Sequence, residues 1–127
     1  MRLKTDINDT VFSRLVRHKA DWKCGRCGRS AEVGSTGIHA SHFIGRANRK
    51  VRFDFDNVDA LCYGCHQWME THKGSSYREW KIKKLGEKRF NQLVDRSRNG
   101  EAPDKNQLKE LRAIWRKELR EKYYDTR

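Results

Sequence analysis

The sequence predicts a small α+β domain: a short β-hairpin and a helix stapled by a four-cysteine zinc site, flanked by N-terminal and C-terminal helices. Three observations predict it. The cysteines stand as two pairs of the same spacing, Cys24-Gly-Arg-Cys27 and Cys62-Tyr-Gly-Cys65. Apolar residues near both ends recur at helical steps of three and four, while the segment between the pairs shows the alternation and turn-bounded runs of strands. At 127 residues, 36% of them charged and 35% apolar, the chain is one domain by size with only a modest core, so crosslinking by a metal is the expected help.

Taken in order, Asp9 or Thr10 is the expected cap of a first helix whose Val11, Phe12, Leu15 and Val16 form an apolar face, within an N-terminal helical segment over 1–23. The knuckle Cys24-Gly25-Arg26-Cys27-Gly28 is a tight turn, with glycine supplying the backbone angles that aim both sulfurs at one ion. Residues 38–44 alternate and read as a strand, 45–50 as a basic loop, and Val51-Arg52-Phe53 as the returning strand of a hairpin. Asp54 to Asn57 is turn chemistry, after which Val58 to Leu61 leads into the second knuckle and a helix over 65–72. Further helices are expected over 76–85, stopped by Gly86, and over 87–98, with Phe90, Leu93 and Val94 on one side, closing a central unit over 24–98. The stretch 99–103 holds the only proline and reads as a linker. Asp104 then caps a helix to about Tyr124 with the stripe Leu108, Leu111, Trp115 and Leu119, so that 99–127 form a linker and C-terminal helix. The stripe is expected to pack on the domain; the second choice is self-association as a homodimer.

The formal charge is +12, and residues 1–53 carry 12 Lys/Arg against 4 Asp/Glu. An excess of that size around the cysteines and histidines favours a polyanion, and nucleic acid is the expected one. No apolar run approaches the ~18 residues that span a bilayer, and the opening residues lack a secretion signal, so the expectation is a cytoplasmic protein and no membrane partner. In a reducing compartment Cys24, Cys27, Cys62 and Cys65 read as the ligands of a structural Zn2+ rather than as disulfides. The 34 residues between Cys27 and Cys62 exceed what a compact ribbon needs, so the insert must have a structure of its own. It carries His39, His42 and Asn57, and His66 directly follows the second pair. For any one histidine a hydrogen-bonded core role is the plainer reading, and the case for chemistry rests on their joint arrangement.

A histidine closing the first strand, an asparagine in the following loop and a histidine directly after Cys-x2-Cys at a helix start make a pattern, here His42, Asn57 and His66, that resembles the HNH endonucleases and their ββα-metal fold. More closely, His42-Phe43-Ile44-Gly45-Arg46, then Val51 to Asn57, Cys62-Tyr63-Gly64-Cys65, Tyr77 and Leu85-Gly86 resemble the lambdoid phage NinG (Rap) recombination endonucleases over residues 24–98. The resemblance implies a phage-encoded, metal-dependent DNA endonuclease of the bacterial host's cytoplasm that acts on branched DNA such as Holliday junctions. It implies catalytic roles for His42, Asn57 and His66, with His42 as general base and Asn57 pinning the loop. It also implies a catalytic Mg2+ or Mn2+ held by His39 and His66, and phosphate contacts from Arg46, Arg49, Lys50 and Arg52. Two departures from the pattern stand out: Ser41 and His39 stand where an acidic ligand is usual, and His66 stands where NinG-like chains tend to have asparagine. The alternatives are a general DNA-nicking HNH nuclease and a non-catalytic zinc-containing module that binds nucleic acid. His18, Glu70, His72, the four tryptophans and the Lys81-Ile82-Lys83-Lys84 helix face are given packing or solvated roles.

Overall fold

A computed structural model describes residues 3–125; residues 1–2 and 126–127, the extreme ends of the expected terminal segments, lie outside the described residues. The elements run α1 (Ile7–Lys19), β1 (Ile38–His42), β2 (Val58–Cys62), α2 (Tyr63–Glu70), a π-helical turn (Lys73–Tyr77), α3 (Arg78–Leu85), α4 (Glu87–Asn99) and α5 (Lys105–Tyr123). The class is therefore α+β, five α-helices around one two-stranded sheet.

Helix α1 starts earlier than Asp9. Asp6 is the N-cap, and a capping box joins it to Asp9: each carboxylate accepts the other's backbone N–H, at 3.0 and 2.9 Å. Its face of Val11, Phe12, Leu15 and Val16 is buried. Phe12 is packed between Phe53, Phe55 and Trp115, with ring centroids 4.7 to 5.6 Å apart. Trp115 and Leu119 of α5 complete that cluster, so the C-terminal stripe packs against the domain as expected and the two terminal helices share one core with the sheet. Truncating a ring as buried as Phe12 costs about 3–5 kcal/mol. Asp104 caps α5 through a second capping box with Gln107.

The strand after the loop is not Val51-Arg52-Phe53. β1 pairs antiparallel with Val58–Cys62, in a register that sets Ile38 against Cys62 and His42 against Val58. The backbone groups of 51–53 are spent elsewhere: Val51 N–H donates to Asn48 O, Val51 O accepts from Asn57 and Arg52 O accepts from His42. β2 is buried at all five positions, so it shows no alternation, and Asp59 interrupts what would otherwise be an apolar run. That carboxylate is satisfied inside the fold by Lys81 and Lys84, each with Nζ at 2.8–2.9 Å, and by the Tyr77 hydroxyl at 2.9 Å. Lys81 is thus a fully buried ion-pair partner and not part of a solvated face. The negative Asp59 and burial together push the Tyr77 hydroxyl well above its ordinary value, so it remains a donor.

Candidate metal clamp and histidine cleft

Two consecutive left-handed residues, Asp21 (φ 56°) and Trp22 (φ 54°), turn the chain out of α1 and into the first knuckle. Gly28 (φ 78°) closes that knuckle, and Gly25 N–H donates to Ala60 O at 2.8 Å, docking it against β2. Cys62 ends β2 and Cys65 lies in the first turn of α2, so the second knuckle is a strand end and a helix start. The four sulfurs all lie within 4.8 Å of one another and are free of disulfides. Ligand sulfurs ~2.3 Å from a tetrahedral ion stand ~3.8 Å apart, and Cys27 Sγ and Cys62 Sγ are 3.7 Å apart. The set could hold one metal ion, and the donor chemistry fits zinc.

The acidities agree. Burial opposes ionisation of Cys24, but the backbone N–H groups of Cys27, Cys62 and Arg26 outweigh it and bring the thiol down to about 6. Cys65 is pushed up to about 12, first by burial, with hydrogen bonding among the neighbouring sulfurs adding to it and Arg26 opposing. Cys24 is thus readily ionised, whereas a Cys65 thiolate needs a cation beside it.

The second set gathers beside the clamp. His42, at the end of β1, and His66, one residue past Cys65, line a common open cleft of about 670 Å3 whose far wall is α1. Arg52 O, 2.9 Å from His42 Nε2, can only accept, so Nε2 carries the proton and Nδ1 keeps its lone pair. Asn57, fully buried, holds that carbonyl's loop in place: its Oδ1 accepts from Ile44 N–H at 2.8 Å, and its Nδ2 donates to Ile44 O at 2.8 Å and Val51 O at 3.1 Å. Burial holds His42 below the ordinary imidazole value and therefore neutral, although the bond to Arg52 works the other way.

His39 reaches His66 directly, Nδ1 to Nδ1, at 3.0 Å. His39 Nε2 faces the Thr36 carbonyl at 3.1 Å and so bears the proton, which leaves Nδ1 as a lone pair aimed at His66. Burial holds the pKa of His66 down too, against the pull of Glu70, whose Oε1 lies 3.6 Å from Nε2. Two nitrogens ~2.1 Å from one ion and ~90° apart stand ~3.0 Å from each other, so the pair fits adjacent ligands of an octahedral cation. Among the described residues only the four cysteines form a group of three or more close metal-type side chains; His39 and His66 are a pair.

The four basic candidates part company. Arg46 lines the cleft with His42. Arg52 instead turns its guanidinium to Asp9, Nε at 2.9 Å, with a second bond from Nη2. Burial works to raise the Asp9 pKa, but Arg52, the Asp6 backbone and Arg46 overcome it and hold the carboxyl below its usual range. Arg49 and Lys50 line a different groove, against the start of α5, with Lys50 Nζ 2.8 Å from Arg98 O. The cleft gains Thr5, Thr10, Ser13, Arg17 and Lys73, which sequence reading passed over. The signal was present: Asp6, Asp9, Thr10, Ser13 and Arg17 recur at helical steps on the face of α1 away from its apolar stripe, and Lys73 follows His66 and Glu70.

Fold and donor sets define a small α+β protein built on one four-sulfur clamp with a paired-imidazole cleft at its side. A family model described as bacteriophage lambda NinG protein matches residues 3–124, and the chain belongs to that family. The match takes in both terminal helices and so extends well beyond 24–98. No curated protein and no solved structure matches the chain.

Proposed function

We propose that the protein is a metal-dependent DNA endonuclease of the HNH type, with the ββα-metal core formed by β1, β2 and α2, and that it acts on branched recombination DNA in the cytoplasm of a phage-infected bacterium. The observation that carries the reading is the state of His42: a neutral imidazole, Nε2 fixed by a carbonyl on an asparagine-pinned loop, with Nδ1 free at the edge of a cationic cleft. That is the state a general base needs.

In this reading His42 Nδ1 takes the proton of a water as its oxygen attacks the phosphorus; the new P–O bond forms as the bond to the leaving 3′ oxygen breaks, and solvent protonates that oxygen. His39 and His66 would hold a divalent ion, Mg2+ or Mn2+, which supplies positive charge to the scissile phosphate as negative charge builds. Arg46, Arg17 and Lys73 line the cleft where a phosphodiester would enter. Cys24, Cys27, Cys62 and Cys65, with Zn2+, would keep the strand end and the helix start in place, because Cys65 and His66 are adjacent.

The experiment is a cleavage assay on linear, nicked and four-way junction DNA with Mg2+, Mn2+, Ni2+ and Zn2+, comparing the intact chain with His42→Ala. General base catalysis contributes about 10²–10⁴-fold, so the variant should lose at least a hundredfold in rate while DNA affinity changes little. Undiminished cleavage by His42→Ala refutes the mechanism. DNA binding with no cleavage by the intact chain under any ion favours a non-catalytic module, and equal rates on linear and junction DNA favour a general nicking enzyme.

A further inference from the structure

Ion pairs hold eleven of the Lys and Arg side chains among the described residues. Arg14 pairs with Asp125, Arg52 and Arg46 with Asp9, Lys81 and Lys84 with Asp59, and Arg89 and Arg96 with Asp54 and Asp56. Helix α5 carries six that fall outside these pairs. Lys105, Lys109, Arg112, Arg116, Lys117 and Arg120 fall, at 100° per residue, within an arc of about 140° on its surface. Over residues 105–120 the only others in that arc are Asn106 and Ala113. Glu110, Glu118 and Glu121 all fall outside it, and the apolar stripe of Trp115 and Leu119 faces the core.

Among the described residues none of the six makes an ion pair with a carboxylate; the one bond among them is from Arg112 Nη1 to Asn8 Oδ1, at 2.9 Å. Lys105, Lys109, Lys117 and Arg120 are exposed, Arg112 and Arg116 half-buried, and a shallow groove of about 270 Å3 runs along Lys109, Arg112, Ala113, Arg116 and Arg120. Six unpaired like charges side by side repel one another and lower helix stability. A polyanion relieves that repulsion by neutralising them together and releasing its own counterions. From Lys105 to Arg120 the arc is ~22 Å long, the axial length of six or seven base pairs. Arg112 holds Asn8 in the first turn of α1, the helix that also walls the histidine cleft.

We propose that this face of α5 is a second DNA contact, which lies on the phosphate backbone of a duplex arm beside the one held in the cleft. It carries no base specificity and anchors substrate without touching the reacting phosphate. The inference rests on the DNA reading above for the identity of the polyanion.

The test uses the full chain and fluorescence anisotropy with a 24-base-pair duplex between 50 and 300 mM salt. The variant is Lys109→Gln, Arg116→Gln, Lys117→Gln and Arg120→Gln together, with Arg112 kept for its bond to Asn8. Each lost phosphate contact flattens the slope of log K against log salt by about 0.9, so the slope should fall by about 2 to 4 and the affinity at 100 mM salt at least tenfold. The unfolding midpoint should stay within a few degrees of the parent, since no fold contact is removed. Removing the same charge elsewhere, by Lys23→Gln, Lys83→Gln, Lys88→Gln and Lys122→Gln, should move the slope less than half as far. An α5 variant with the parental slope overturns the proposal while leaving the cleft reading intact, and so does a control variant that weakens binding equally. A parent dimer that the α5 substitutions dissociate reassigns the face to self-association. Failure of the intact chain to bind any duplex removes the DNA reading itself, and this inference with it.

Discussion

Replacing Asn57 with alanine tests the link between fold and site most directly. The side chain is fully buried and makes three hydrogen bonds, all to backbone groups of residues 44 and 51, which are the two ends of the basic loop. A typical intramolecular hydrogen bond contributes about 1 kcal/mol net, and a buried group left unpaired costs about 1–3 kcal/mol. Three such bonds set the loss near 3 kcal/mol. With ~3–5 °C of midpoint per kcal/mol for a domain of this size, Asn57→Ala should melt roughly 10 °C below the parent. Asn57→Asp should melt lower as well: it keeps the acceptor toward Ile44 N–H but sets a carboxylate against the Ile44 and Val51 carbonyls. The second effect falls on chemistry. Freed from Asn57, the loop no longer presents Arg52 O to His42 Nε2, so the imidazole loses both its tautomer and its aim. Differential scanning calorimetry reads the first effect, and cleavage at a temperature where the variant is still folded reads the second. A midpoint within 2 °C of the parent, or full activity in a variant that melts 10 °C lower, refutes the reasoning.

Metal removal should unfold the clamp: Cys62→Ser or treatment with a strong zinc chelator should lower the melting midpoint sharply, with one zinc lost per chain by mass spectrometry, and added Mg2+ should not restore it. For the proposed base, burial holds the His42 pKa below the ordinary ~6.5, so the neutral, active form persists as pH falls through 6.5 and the acid limb of the rate profile should lie below that value. A limb at or above 6.5 would contradict the assignment. Its stability sign is the same: the unfolded imidazole binds the proton more readily, so His42 contributes stability above pH ~6.5 that is lost as pH falls toward its folded value. Lys81→Met, which leaves the buried Asp59 carboxylate without its buried cation, should cost about 3–5 kcal/mol in urea unfolding, while Asp59→Leu with Lys81→Met should recover much of that loss. A double variant worse than the sum of the single ones would show the pair to be more than a buried charge match.

The parts of this fold that were legible in the sequence are those whose signal is local. A capped stripe at steps of three and four specifies α5 from Asp104 onward without reference to anything else, and the paired Cys-x2-Cys knuckles carry their geometry in their spacing. β2 was hidden for a physical reason. A strand covered on both faces has no alternation, and the one residue that broke the apolar run, Asp59, is tolerated only because Lys81 and Tyr77 arrive from more than fifteen residues away. The same non-locality separates the histidines from the arginines. His39 and His66 meet because His66 directly follows Cys65 and His39 stands on β1 next to the Ile38–Cys62 pair, so their proximity follows from the motif and the strand register. Arg52 could not be placed that way, since its partner Asp9 lies 43 residues upstream on α1 and is itself committed to a capping box. A basic loop therefore gives the number of charges but not which of them are free. Free cations are those the fold leaves without carboxylates, and by that measure the run along α5 outweighs the loop in which the charges first drew notice.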